Sequence, residues 1–184
     1  MKATIRIIVI TGLLLPMLLV NVPQATVSAG APALRPFHDA PRGATVVRAF
    51  SEDAVACQGL MEWVVEAKPG NWIDVSIDWT AIDATTVLDN WPHLHHVITV
   101  DGLPVVGLYD YQRGPSSHQI VCPEWSVEGQ AIWLKIYLPP MTPGDHTVKW
   151  TTTIDADIND GWGDYPAGSV EFTSTVRVKP PGSK

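Results

Sequence analysis

Basic residues are in short supply in this chain: twelve lysines and arginines stand against nineteen aspartates and glutamates, and the formal net charge is −7. A surface of that sign excludes a phosphate-gripping role, because nucleic-acid affinity rests on Lys and Arg neutralising phosphates. Catalytic signatures are missing too. There is no Gly-x-Ser-x-Gly elbow, no His-Glu-x-x-His zinc helix and no phosphate-cradling glycine loop. Carboxylates are plentiful, yet nothing in the sequence sets two of them across a cleft, so the chain is expected to be non-catalytic. Only two cysteines occur, Cys57 and Cys122. Outside the cell such a lone pair is expected to be bridged, the alternative being two separately buried thiols. The mature chain also has no helical periodicity that stands out and no internal repeat.

What is present begins with an address. Lys2 and Arg6 form a basic start, Ile7 to Val22 is apolar but interrupted by Pro16, and Val27-Ser28-Ala29 is a small-residue cleavage pattern. The expected organisation is a secretory signal peptide over 1–29, an extended Pro-rich arm over 30–43, one domain over 44–179 and a short tail over 180–184. The product is expected to be secreted, extracellular or in the cell envelope. Removing the signal takes away Lys2 and Arg6 and leaves the rest more acidic still.

The clearest architectural stretch runs from Pro143 to Val178. Val148, Trp150, Thr152 and Ile154 share one parity, and Val170, Phe172, Ser174, Val176 and Val178 share one on the return leg. That is a hairpin of two strands with one buried face each. Further strands are expected over Thr45–Phe50, Leu60–Ala67, Trp72–Ile82, the His93–Val100 run, an edge segment Leu103–Tyr109 and Gln130–Leu138. Asp101-Gly102 is a type I′ hairpin signal. Asp83 to Trp91 reads as a connection, and Tyr109 to Gly129 as irregular. About eight short strands with alternating faces and Gly/Pro punctuation argue for an all-β, two-sheet antiparallel sandwich.

The closing hairpin, in which Pro143-Gly144 leads into Val148-x-Trp150, resembles the final strand pair of immunoglobulin-like and fibronectin-like domains. The resemblance implies an immunoglobulin-like sandwich. Cys57 and Cys122 do not follow the inter-sheet bridge of antibody domains, since Cys122 precedes the terminal strand pair. The Gly-led Trp strand, the Asp160-Gly161 loop and the Phe172-to-Val176 strand also resemble small periplasmic copper-binding sandwiches of the copper-resistance type. Those are expected to carry histidines at the mature N-terminus and after the Asp-Gly, where this chain has Gly30 and Trp162, so copper does not carry over by that route.

Three groups of residues could carry chemistry. Between the two legs of the hairpin lie Asp155, Asp157, Asn159, Asp160 and Asp164, hard oxygen ligands of the kind calcium takes. The spacing is not an EF-hand: the glycine is Gly161, one place late, and Pro166 stands where the bidentate Glu belongs. The plainer reading of the same residues is turn chemistry in a solvated loop, and a loop of this length is expected to be functional or mobile. His93 and His95 point one way on a strand and His96 the other, so the first two could bind copper or zinc given a further ligand, for which His38, His118 and His146 are the other imidazoles. Last come eight tryptophans. Parity assigns Trp63, Trp79 and Trp150 to the core and Trp72 and Trp133 to outer faces, while Trp91, Trp125 and Trp162 fall in loops. A loop tryptophan offers a flat face to a sugar ring or a partner side chain. The expected function is therefore an extracellular binding module for a protein or glycan, read through Trp162 with Trp91 and Trp125; the alternative is a metal-binding or metal-stabilised extracellular protein.

Overall fold

The computed structural model describes residues 33–51 and 53–182. The expected signal segment lies outside the described residues. Strands dominate: β1 (Val46–Arg48), β2 (Glu62–Ala67), β3 (Trp72–Asp74), β4 (Ile77–Ala81), β5 (Leu94–Val100), β6 (Leu103–Pro104), β7 (Gln112–Val121), β8 (Ser126–Leu134), β9 (Tyr137–Leu138), β10 (Gly144–Ile154), β11 (Ile158–Asn159), β12 (Asp164–Tyr165) and β13 (Gly168–Val178), with one α-helix, α1 (Ala84–Asn90). The fold is an all-β sandwich. One layer is the five-stranded sheet β2-β13-β10-β5-β6; the other combines β4-β8-β7 with β1-β3-β9, since β3 runs into β4 and β8 into β9.

The long hairpin forms as the parity requires. β10 and β13 pair antiparallel from Gly144↔Val178 to Ile154↔Gly168, which sends Val148, Phe172 and Val176 inward. They meet Ile77, Ile132 and Leu134 of the facing layer in a single core. Trp150 stacks on Phe172 with centroids 4.7 Å apart, and Phe50 sits edge-on to both Trp63 and Trp150. Asp101 and Gly102 both adopt positive φ, 50° and 79°, as a type I′ turn needs. Not every pairing is antiparallel: β1 joins β3, and β2 joins β13, in parallel. The described part of the arm bridges strand edges, Leu34 pairing with Val105 and Phe37 with Tyr137.

Two stretches expected as single strands are each broken. Trp72–Ile82 divides at Val75-Ser76 and Gln130–Leu138 at Lys135-Ile136, and the two breaks lie side by side. The Ser76 amide donates to Asp74 Oδ1 at 2.8 Å, while the Ile136 amide donates to Ser76 Oγ at 3.0 Å and its carbonyl accepts from the Val75 amide at 3.1 Å. Side-chain oxygens thus stand in as acceptors for two buried amides, while the two strands keep the same register on either side of the break.

Three further expectations are corrected. Asp83–Trp91 contains helix α1, whose first turn is capped by the Asp83 carboxylate accepting from the Thr86 amide at 2.8 Å. The edge strand expected over Leu103–Tyr109 shrinks to β6 and then a 3-10 turn, Leu108–Tyr111. Tyr109–Gly129 is mostly ordered, as the β7–β8 hairpin. Cys57 and Cys122 are bridged, with Cα atoms 5.3 Å apart, so the free-thiol alternative falls away.

His96 is the polar exception inside the five-stranded sheet. Trp150 Nε1 donates to its Nδ1, with Thr152 Oγ1 2.9 Å from the same atom, which puts the ring proton on Nε2. That nitrogen is sealed and has no partner among the described residues. Burial, and secondarily the charge of His95, bring the His96 pKa down to about 4. His146 is its opposite: burial pulls its pKa down, but hydrogen bonds to Asp101 and to the Thr142 carbonyl, and the charges of Asp101 and Asp145, raise it above the ordinary value.

Two predictions follow from these arrangements. Between pH 6.5 and about 4 the unfolded chain binds a proton at position 96 that the folded chain refuses, so stability should fall with pH by about 1.4 kcal/mol per unit. The slope should flatten in His96→Gln, measured by urea unfolding across that range. His146 works in the other window, its contribution being full below pH 6.5 and lost as pH rises through its raised pKa. Separately, the bridge spans 65 residues, and Cys57→Ser/Cys122→Ser should lower unfolding free energy by on the order of 4 kcal/mol. An unchanged denaturation midpoint would show that the loop it closes is constrained by other contacts.

Candidate functional site

The acidic residues between β10 and β13 build a small structure of their own. After the Ile154↔Gly168 pair the chain forms a two-rung hairpin, Ile158↔Tyr165 and Asn159↔Asp164, turned by Asp160-Gly161-Trp162-Gly163. Asp160 organises the turn. Its Oδ1 accepts the amides of Trp162 and Gly163 at 2.7 and 2.8 Å, and its Oδ2 accepts the Tyr165 hydroxyl at 2.8 Å. Gly161 has φ +94°, and a Cβ there would run into Ile82, so only glycine fits. Asn159 accepts from the Gly161 amide and donates to Asp164, while Asp157 accepts from the Ala167 amide and closes the base.

This hairpin is docked on the sandwich. Ile158 enters the core, the Ile82 amide donates to the Asp160 carbonyl at 2.7 Å, and Asn90 Nδ2 donates to the Asn159 carbonyl at 2.8 Å. The Tyr165 ring stands edge-on to Trp79 at 5.0 Å. Burial, the bond to Asp160 and the charge of that carboxylate all push the Tyr165 hydroxyl above its ordinary pKa, which keeps it a donor at any physiological pH. Asp160 itself is only 5% exposed. The loop is therefore an ordered platform, with Trp162 at its tip.

The candidate residues divide accordingly. Trp162 is 41% exposed, and its Cη2 lies 2.7 Å from where a Cβ on Gly129 would stand, so the ring rests against bare β8 backbone. Trp125, 45% exposed, sits at the tip of the β7–β8 hairpin beside Cys122. Trp91 is not in an open loop. It lies in a 3-10 turn after α1, 8% exposed, with Nε1 donating to Gln112 Oε1, because the helix that the sequence concealed turns it inward.

The carboxylates expected as calcium ligands each face a different donor. Asp155 is turned away from the rest of the loop toward the histidines: His93 Nδ1 and His95 Nε2 each lie 2.7 Å from one of its oxygens. Those bonds, His95 first and then His93, hold the Asp155 carboxyl below its ordinary pKa. His93 lies in the 3-10 turn Trp91–His93 ahead of β5 and not on the strand, yet it and His95 meet at the same aspartate. The other imidazoles are elsewhere, His38 at Arg113, His118 against the Trp133 ring and His146 at Asp101. Among the described residues no three His, Cys, Asp or Glu side chains are gathered as a metal ion would need. Sequence reasoning missed Ile158, Tyr165, Ile82 and Gly129, the residues that seat the loop; a Tyr five places after Asp160, on the hairpin's return leg, was the available signal.

The described residues thus form a disulfide-bridged all-β sandwich with an aromatic side chain on a docked loop. No helix among the described residues is long and apolar enough to cross a membrane. No protein-family model matches the chain, and no curated protein matches it in sequence. Two solved structures are similar at low level. One is amebosin, at 14% identity and a TM-score of 0.30, covering 74% of this chain and 98% of that one. The other is a cysteine protease inhibitor from Entamoeba histolytica, at 12% identity and a TM-score of 0.30, covering 72% and 95%. Likenesses at this level have no bearing on function.

Asp160 offers a direct check on the docking. Asp160→Ala leaves the amides of Trp162 and Gly163 and the Tyr165 hydroxyl without their acceptor, and should cost about 2 to 3 kcal/mol in denaturant unfolding. A cost near zero would mean that the loop is held without its central carboxylate.

Proposed function

We propose that this chain is a secreted, non-catalytic recognition module that reads an extracellular protein or glycan with Trp162. The observation that carries the reading is the way this ring is mounted. Its backbone amide is fixed by Asp160, the loop beneath is tied to Ile82, Asn90 and the core, and yet 41% of the residue remains exposed. A large flat side chain that is already ordered forfeits little entropy on binding, which is why such residues dominate binding energies. Trp125 offers a second exposed ring at another place on the surface; Trp91, being buried, drops out. The immunoglobulin-like resemblance of the closing hairpin belongs with this reading, since domains of that build present their loops at the ends of the sandwich. Calcium is left aside because the loop's carboxylates already serve as acceptors for its own amides, hydroxyl and neighbouring imidazoles.

The test is an array of extracellular proteins and glycans probed with the mature chain and with Trp162→Ala. Loss of the strongest signals by at least tenfold, with the melting temperature preserved within a few degrees, is the expected result. Equal binding by the two proteins would remove Trp162 from the function.

A further inference from the structure

Beside Trp162 lies an open groove of about 760 Å³. One wall is the start of α1, Ile82 to Ala84; the other is the β7–β8 hairpin, where Ser117 pairs with Gln130, His118 with Gly129 and Gln119 with Glu128. Trp162 stands outside the lining, with its ring edge resting against Gly129, which is part of it. We infer that this groove binds a neutral oligosaccharide, with Trp162 as the stacking face at its edge and Gln119, Gln130, Asp83 and Glu128 hydrogen-bonding the hydroxyls. The inference rests on the recognition role proposed for Trp162 and names the ligand class for that site.

Three observations select the class. The lining is made of amides, carboxylates, a hydroxyl and the His118 imidazole, with Ile82 and Ala84 as apolar ground. Such groups suit a ligand dense in hydroxyls, whereas the core of a protein interface is depleted in Asp, Glu and Ser. No Lys or Arg lines the groove, and the chain is net negative, so sulfated or uronic sugars and nucleic acids are repelled. The amides are also held in place before any ligand arrives. Gln130 Nε2 donates to Ser117 Oγ at 3.2 Å and Gln119 Nε2 to Glu128 Oε1 at 3.5 Å, so each retains an amide oxygen and a second N–H to offer. Asp83, capping α1 through Thr86, is held below its ordinary pKa by that amide bond and stays an acceptor.

The experiment titrates the full mature chain with cellohexaose, mannohexaose and chitohexaose, and with heparin and polygalacturonate hexasaccharides as anionic probes, by tryptophan fluorescence and calorimetry. Saturable binding of at least one neutral probe is expected, weakened tenfold or more by Trp162→Ala and by Gln130→Ala, with Trp162→Phe recovering part of it. Gln130→Ala removes a side chain whose hydrogen bond is to Ser117 Oγ and leaves the backbone pairing with β4 and β7 in place, so it should melt within a few degrees of the parent chain and its effect separates the groove from any loosening of the loop. The inference is overturned if no neutral probe binds at millimolar concentration, if the anionic ones bind as well, or if Gln130→Ala and Gln119→Ala bind like the parent. Should Trp162→Ala abolish array binding to a protein while no sugar binds, the recognition role stands and the groove assignment falls.

Discussion

The exchange of hydrogen bonds between Ser76 and Ile136 is the constraint on which the rest of the architecture turns. Two neighbouring strands keep one register on either side of a break, from Ile73↔Leu138 to Ile77↔Leu134, and at the break the Val75 amide still meets the Ile136 carbonyl while the amides of Ser76 and Ile136 do not find carbonyl partners. A buried strand with unpaired amides would be costly, so a serine hydroxyl and the Asp74 carboxylate stand in for the missing carbonyls. With the break supported, β3 and β9 can serve one edge of the sandwich while β4 and β8 lie side by side further on. That second pair is the floor on which the acidic loop is seated, through Ile82 beyond the end of β4 and Gly129 within β8.

Charge in this molecule is spent on local order. Asp160 holds a turn, Asp157 the base of a loop, Asp83 a helix start, Asp101 the tie between its turn and β10, and Asp155 two imidazoles. The sequence, read for ligands, shows a cluster of oxygen donors; the fold turns each toward a nearby N–H or O–H. Short acidic side chains bond readily to backbone two or three residues away, and that tendency accounts for much of the pattern. What remains for recognition is the aromatic surface at the loop tip and the polar groove alongside.

Much of the sandwich was legible because strand parity is a local property. The register of β10 against β13, the Asp101-Gly102 turn and the inward set Val148, Phe172 and Val176 all follow from residues within a few positions of one another. Helix α1 was not, because Thr85, Thr86 and Val87 are weak helix formers and the Asp83 cap was the sole signal for it. Trp91 was misplaced as a direct result. The breaks in the two long strands were hidden for a different reason: Ser76 and Ile136 are far apart in sequence, and parity continues across both positions. Of the candidate site, the loop and Trp162 could be found from composition, whereas its seat on Ile82, Gly129 and Trp79 depends on contacts between distant segments that no local pattern encodes.

The position of the disulfide bears on how the molecule would respond to tension. Cys57 lies just ahead of β2, which borders the five-stranded sheet, and Cys122 just after β7, which borders the opposite layer. A chain pulled by its two ends would therefore load the arm, β1, β8 and the segments after it, while the 65 residues between the cysteines stay outside the path of the load. Roughly 220 Å of contour length is withheld from extension in this way. Helix α1, with its Asp83 cap, lies inside the shielded segment, while β8 and the Trp162 loop lie in the part that bears force, so stretching would loosen the stacking face and the β8 wall of the groove before it disturbed the α1 wall.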